Sequence, residues 1–102
     1  MKKIKIEVQY FRGCPNSEAI NNMVKEFVDK NREKLPLEFE EVLVETPEEA
    51  KKYKFRGSPT ILINGKDIEG MEENENPSLS CRYYPNGLPS EKDLENFISA
   101  LV

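Results

Sequence analysis

The sequence predicts an α/β fold of order β-α-β-α-β-β-α, and three observations carry that prediction. Ile4, Ile6, Val8 and Tyr10 alternate with Lys5, Glu7 and Gln9, the period-2 pattern of a strand with one buried face. Ala19, Ile20, Met23, Val24, Phe27 and Val28 then recur at helical spacing. Further on, "TILINGKDIEG" sets an apolar run, an Asn-Gly pair and a short return in the order of a β-hairpin.

The elements follow in chain order. The first strand gives way to a helix over about residues 15 to 32, opening just after Cys14. "LEFEEVLV", residues 37 to 44, is the second strand. "TPEEAKKY", residues 46 to 53, has a threonine cap, a proline at the first helical position and early glutamates that suit the positive end of the helix dipole. The hairpin supplies the third and fourth strands. Leu94, Phe97, Ile98 and Leu101 mark a final amphipathic helix with Ser90 as its cap. The chain has 102 residues, enough for one domain and too few for two. The expected organisation is a single domain over 1–102 with an inserted loop at about 71–89. That loop, "MEENENPSLSCRYYPNGLP", carries three prolines, an aromatic pair and the second of two cysteines. Connections of that length without regular structure are often functional.

Charge narrows the choice of partner. The net charge is −4, and the longest acidic cluster falls in "EGMEENEN". Neither nucleic acid nor an anionic membrane is expected to attract such a chain. "MKKIKI" begins with lysines but has no uninterrupted apolar region behind them, and no other stretch has the length of a membrane span. A cytoplasmic location is the expectation. Two cysteines are too few for a disulfide framework, and in a reducing compartment they read as reactive or metal-binding thiols. Histidine is absent, which removes Ser–His and Cys–His catalysis and histidine-bearing zinc sites. The polar face of the first strand (Lys5, Glu7, Gln9) suggests thin helix cover there and a partner surface.

The two cysteines stand in different surroundings. Cys14 lies in "FRGCPNS", at the junction between strand and helix. With Cys14 as N-cap and Pro15 as first helical residue, the amides of Asn16 and Ser17 would face the sulfur unpaired. Those donors and the helix dipole favour thiolate over thiol. A cysteine of pKa ~8.5 is about 3% ionised at pH 7, and one lowered to about 6 is roughly 90% ionised. Arg12 adds a favourable charge. The Ser17 hydroxyl can donate to the sulfur, but it cannot resolve a mixed disulfide. Cysteine is a poor helix cap, so capping alone does not account for Cys14. Arg82, beside Cys81, would assist ionisation of the second thiol.

"RGSPT", residues 56 to 60, is the second informative stretch. A proline just before an apolar strand and just after Gly-Ser fits a tight turn able to hold a cis peptide.

Taken in order, "GCPNS" after a strand and "GSPT" opening a hairpin resemble the thioredoxin-like superfamily over nearly the whole chain. The sequence is similar to small prokaryotic thioredoxin-like proteins with a Cys-Pro-Asn-Ser active-site turn and a late cysteine before an aromatic pair. The resemblance implies a mixed four-stranded sheet with flanking helices. It also implies Cys14 as nucleophile, Pro59 as the cis-proline beside it, and backbone at Ser58 on which an extended substrate pairs. Pro15, Thr60 and Arg12 would line the substrate. Ser17 stands where the dithiol enzymes carry their resolving cysteine.

Two classes of function follow. One is a thiol–disulfide oxidoreductase that attacks through Cys14, with Cys81 or an external thiol resolving. It needs no cofactor or metal and acts on a disulfide-containing protein or a small thiol substrate. The alternative is a non-catalytic module on the same fold that binds a protein or holds a soft metal between two thiolates. A structural Cys14–Cys81 bridge is a third reading. Topology favours contact between the two thiols. The first strand ends at Cys14, the hairpin returns the chain to that end, and the last helix starts there. Both anchors of the 71–89 loop therefore lie near Cys14.

Overall fold

A computed structural model describes residues 3–101 apart from Pro15, Asn74, Asn76, Ser78, Ser80, Tyr83, Pro85 and Asn86. Seven elements follow one another: β1 (Ile4–Tyr10), α1 (Asn16–Asn31), β2 (Leu37–Leu43), α2 (Pro47–Tyr53), β3 (Thr60–Ile63), β4 (Lys66–Asp67) and α3 (Glu91–Leu101). The strands form one mixed sheet in the order β2-β1-β3-β4. β2 runs parallel to β1 from Ile4↔Leu37 to Tyr10↔Leu43, as a β-α-β crossover requires. β3 lies antiparallel to β1, with Val8 opposite Ile61, and β4 is antiparallel to β3. The element order and the mixed four-stranded sheet are those expected from the sequence.

One face of the sheet carries the larger core. Ile4, Ile6 and Val8 of β1 and Ile61 and Ile63 of β3 pack with Ile20, Val24, Phe27 and Val28 of α1 and Leu94 and Ile98 of α3. On the other face, Val42, Val44, Ala50 and Phe55 form a smaller cluster, against which Phe11, Tyr53 and Leu79 pack. Leu79 ties the long loop to this second face, which is where the fold begins to shape a site.

Local chemistry fixes the ends of the elements. The Thr46 side chain accepts the Glu49 amide at 3.1 Å, capping α2, while Lys54 takes the left-handed conformation at its C-terminal end. Asn64 and Gly65 both have positive φ (52° and 83°), which a tight hairpin turn requires. At the start of α3, Ser90 gives both its amide and its hydroxyl to the Asp93 carboxylate, the reciprocal half of a capping box.

The polar face of β1 changes character along the strand. Lys5 is exposed and pairs with Glu40 of the neighbouring strand at 2.7 Å, and Lys3 pairs with Glu38 at 3.0 Å. The hydrogen bond to Glu40 raises the Lys5 pKa above its ordinary value. Gln9, at the other end of the strand, is buried. Cross-strand ion pairs thus occupy the Lys5 end of this face, and the exposure of Lys5 fits the thin helix cover expected there.

Candidate active site around Cys14 and Cys81

Cys14 follows β1 after a turn in which its amide donates to the Phe11 carbonyl at 3.4 Å. The antiparallel pairing of β1 with β3 brings this end of β1 level with the start of β3, so Gly57–Thr60 lies alongside. Cys14 is buried and is joined by a disulfide to Cys81, 67 residues away, with the Cα atoms 5.8 Å apart. The Ser58–Pro59 peptide is cis. On its other side Cys14 borders a cavity of ≈ 390 Å³, shared with Tyr10, Arg12, Ser17, Asn21 and Glu41.

Several residues singled out in the sequence take other partners than expected. The Ser17 hydroxyl shares a 2.7 Å hydrogen bond with the Ser58 hydroxyl and donates to the Phe11 carbonyl at 3.3 Å, instead of donating to the sulfur. Ser17 therefore ties the start of α1 to the loop before β3. Its amide donates to the Cys14 carbonyl at 3.2 Å, so only one of the two amides expected to face the sulfur remains available. Arg12 is exposed and lies 3.6 Å from Glu45. Arg82 turns to Asp67 and not to the Cys81 sulfur. Pro15 and Tyr83 lie outside the described residues.

The loop before β3 is the floor of the site. Ser58, Pro59 and Thr60 are all buried. The Ser58 hydroxyl accepts the Phe11 amide at 3.1 Å, and the Thr60 hydroxyl donates to the Gly57 carbonyl at 2.6 Å. Thr60 is thus bonded within its own turn and presents no free hydroxyl. The Ser58 carbonyl takes the Arg82 amide at 2.8 Å, and Ser58 and Cys81 form an isolated parallel β-bridge.

Residues that pattern and motif reading missed complete the arrangement. Asp67, on β4, has a side chain only 1% exposed and receives two hydrogen bonds from the Arg82 guanidinium, at 2.5 and 3.1 Å. Arg56 lies 3.8 Å from the same carboxylate and donates to the Met71 carbonyl at 2.9 Å. Burial disfavours the charge on Arg82, but the Asp67 hydrogen bond and neighbouring negative charge outweigh it, so its pKa is raised. Tyr84 is buried, donates to the Pro59 carbonyl at 2.5 Å and stacks under the Arg82 guanidinium, 4.6 Å from the ring centre. Burial pushes the Tyr84 phenol well up. Asp67 gave one sequence signal only: a lone carboxylate in the return strand of a hairpin, which surface solvation explains equally well.

The comparisons with known proteins agree with this fold. A family model described as a thioredoxin domain matches residues 3–75. The chain belongs to the thioredoxin family. It is 35% identical over 69 residues to a thioredoxin of Methanocaldococcus jannaschii, covering 68% of this chain and 79% of that one. In three dimensions it is similar to the germline-specific thioredoxin Deadhead of Drosophila melanogaster, with a TM-score of 0.56 over 98% of this chain and 82% of the other. Sequence identity there is 20%, so that likeness concerns the fold alone. Family membership brings thiol–disulfide oxidoreductase chemistry at the family level, and the chain carries a bonded cysteine pair. These comparisons give the non-catalytic alternative no support. No helix among those residues is long and apolar enough to cross a membrane.

Proposed function

We propose that the protein is a two-cysteine thiol–disulfide oxidoreductase in which Cys14 attacks and Cys81, from the long loop, resolves. The observation that carries this reading is the Cys14–Cys81 disulfide, with Cys81 bridged to Ser58. In the reduced protein the Cys14 thiolate attacks one sulfur of a substrate disulfide and releases the other as a thiolate, leaving a mixed disulfide. The Cys81 thiolate then attacks the Cys14 sulfur and expels the bound substrate thiolate. Two electrons pass to the substrate, and Cys14 and Cys81 end as a disulfide. An external thiol or dithiol reverses the oxidation for the next cycle. Ser17 takes no part in electron transfer; its hydroxyl holds Ser58 and the helix start together.

The substrates in this reading are disulfide-bearing proteins or small disulfides, and no cofactor enters the cycle. Mild oxidation of the reduced protein followed by peptide mapping tests it. The expected product is a monomer with an intramolecular Cys14–Cys81 disulfide, formed alongside turnover of a model disulfide. Intermolecular Cys14 dimers or small-thiol adducts alone would overturn it and leave a monothiol protein.

A further inference from the structure

The disulfide is not the only connection between the 81–84 segment and the rest of the molecule. The Arg82 amide bonds to the Ser58 carbonyl, the guanidinium to Asp67, and the Tyr84 hydroxyl to the Pro59 carbonyl. A fourth contact, at 3.3 Å, joins the guanidinium to the Thr60 hydroxyl. All four engage residues other than the cysteines. Gly57 supplies the space. It has φ of +110°, and a Cβ built there would lie 2.9 Å from the Arg82 Cβ and 3.1 Å from its Cα. The main chain of Arg82 therefore lies flat on the turn, as an added strand lies on a sheet edge.

Charge makes this docking selective. The Asp67 carboxylate lies at the end of the strip, almost wholly out of solvent, and Arg82 fills it with both nitrogens of its fork. Bidentate pairing of this kind recognises arginine by shape as well as charge, and lysine reproduces only the charge. Because Arg82 directly follows Cys81, seating the arginine fixes where the preceding sulfur lies.

We propose that Gly57–Thr60 and Asp67 form a docking site for an extended cysteine–arginine segment, whose resident occupant is the chain's own Cys81–Arg82. Asp67 thereby acts as a positioning residue for the second thiol. The docking persists when the disulfide is reduced and keeps Cys81 at high effective concentration over Cys14. This rests on the oxidoreductase reading for its kinetic consequence, though not for the docking itself. The family match ends at residue 75, so the docked segment lies beyond it.

Two measurements test the site. In the first, reduced protein is mixed with one equivalent of the aromatic disulfide dithionitrobenzoate. Attack by Cys14 releases one thionitrobenzoate in a phase that depends on reagent concentration. Attack by Cys81 on the mixed disulfide releases the second in a phase that does not. Asp67→Asn should slow the second phase relative to the first by about tenfold or more, and Arg82→Lys should slow it by less. In the second, amide hydrogen exchange is followed at Arg82 in the Cys14→Ser variant, where this disulfide cannot form. The Arg82 amide should remain protected there and lose protection when Asp67→Asn or Gly57→Ala is added. A single release phase in the unmodified chain would defeat the resolving role of Cys81 and leave the exchange measurement to decide the docking. Two phases with an unchanged ratio in Asp67→Asn, or equal Arg82 exchange with and without Asp67, would overturn the docking site. Should Asp67→Asn fail to fold, Arg82→Lys and Gly57→Ala report on the same contacts.

Discussion

Cys14 and Cys81 share one bond, but the molecule supports them in opposite ways. Cys14 is buried one turn beyond β1, a strand whose Ile6 and Val8 are fully enclosed in the core shared with α1, α3 and β3. Cys81 is exposed, meets the rest of the molecule through an isolated β-bridge to Ser58, and its described neighbours Arg82 and Tyr84 are held by polar contacts. Apolar packing is non-directional and survives small shifts. A bidentate ion pair with a close main-chain approach depends on geometry and on each partner being present. The comparison teaches how a thioredoxin-type sheet can carry serine at position 17 and still present two thiols to each other: the second is delivered from outside the helix by a docked loop.

The sharpest way to break the comparison is to remove the bond. Cys81→Ser should lower turnover of a model disulfide by about a hundredfold or more, because intramolecular resolution becomes bimolecular. It should also lower stability, measured by urea unfolding under oxidising conditions, by up to about 4 kcal/mol, the chain-entropy value for so long a closed loop. Loss of stability without loss of turnover would assign Cys81 a structural role only.

Substitutions on the two supports should then separate. Phe27→Ala, in the main core, is expected to cost about 3–5 kcal/mol while leaving Arg82 amide protection, relative to global unfolding, intact. Gly57→Ala adds a side chain where φ is +110° and Arg82 lies against it, and is expected to cost about 1–3 kcal/mol. Its effect should concentrate on the 81–84 segment in hydrogen exchange, with the β1–β3 amides unchanged. Uniform loss across the sheet would show that the loop and the core are a single cooperative unit.

The smallest effect concerns Tyr84. Tyr84→Phe removes the hydrogen bond to Pro59 and should cost about 1 kcal/mol. The phenol is raised above its ordinary value of 10.0 by burial. Below that value it is neutral in both folded and unfolded chains, and its contribution is fully present. As pH rises past about 10 the unfolded chain releases the proton first, so stability falls from there upward. Urea midpoints between pH 9 and 11, chosen around that reference of about 10, should decline less steeply in Tyr84→Phe than in the unmodified protein.

What the sequence determined by itself was whatever depends on short-range pattern. The alternation of Ile4, Ile6 and Val8, the helical spacing from Ile20 to Val28, the Thr46 cap and the Asn64-Gly65 turn each specify a local conformation, and the observed elements follow them. With connection lengths and the mixed sheet, these also imply that the 71–89 loop starts and ends near Cys14. The side-chain partners lay beyond that reach. The hydroxyl of Ser17 has many acceptors in a sequence, and only the approach of β3 to the start of α1 gave it Ser58 in place of the sulfur. Arg82 adjoins a cysteine in the chain, yet a carboxylate 15 residues earlier claims it, because β4 brings Asp67 into a buried position where a lone charge would be costly. Backbone pattern is written in periods of two and 3.6 residues, whereas a buried ion pair exists only once distant strands have closed around it.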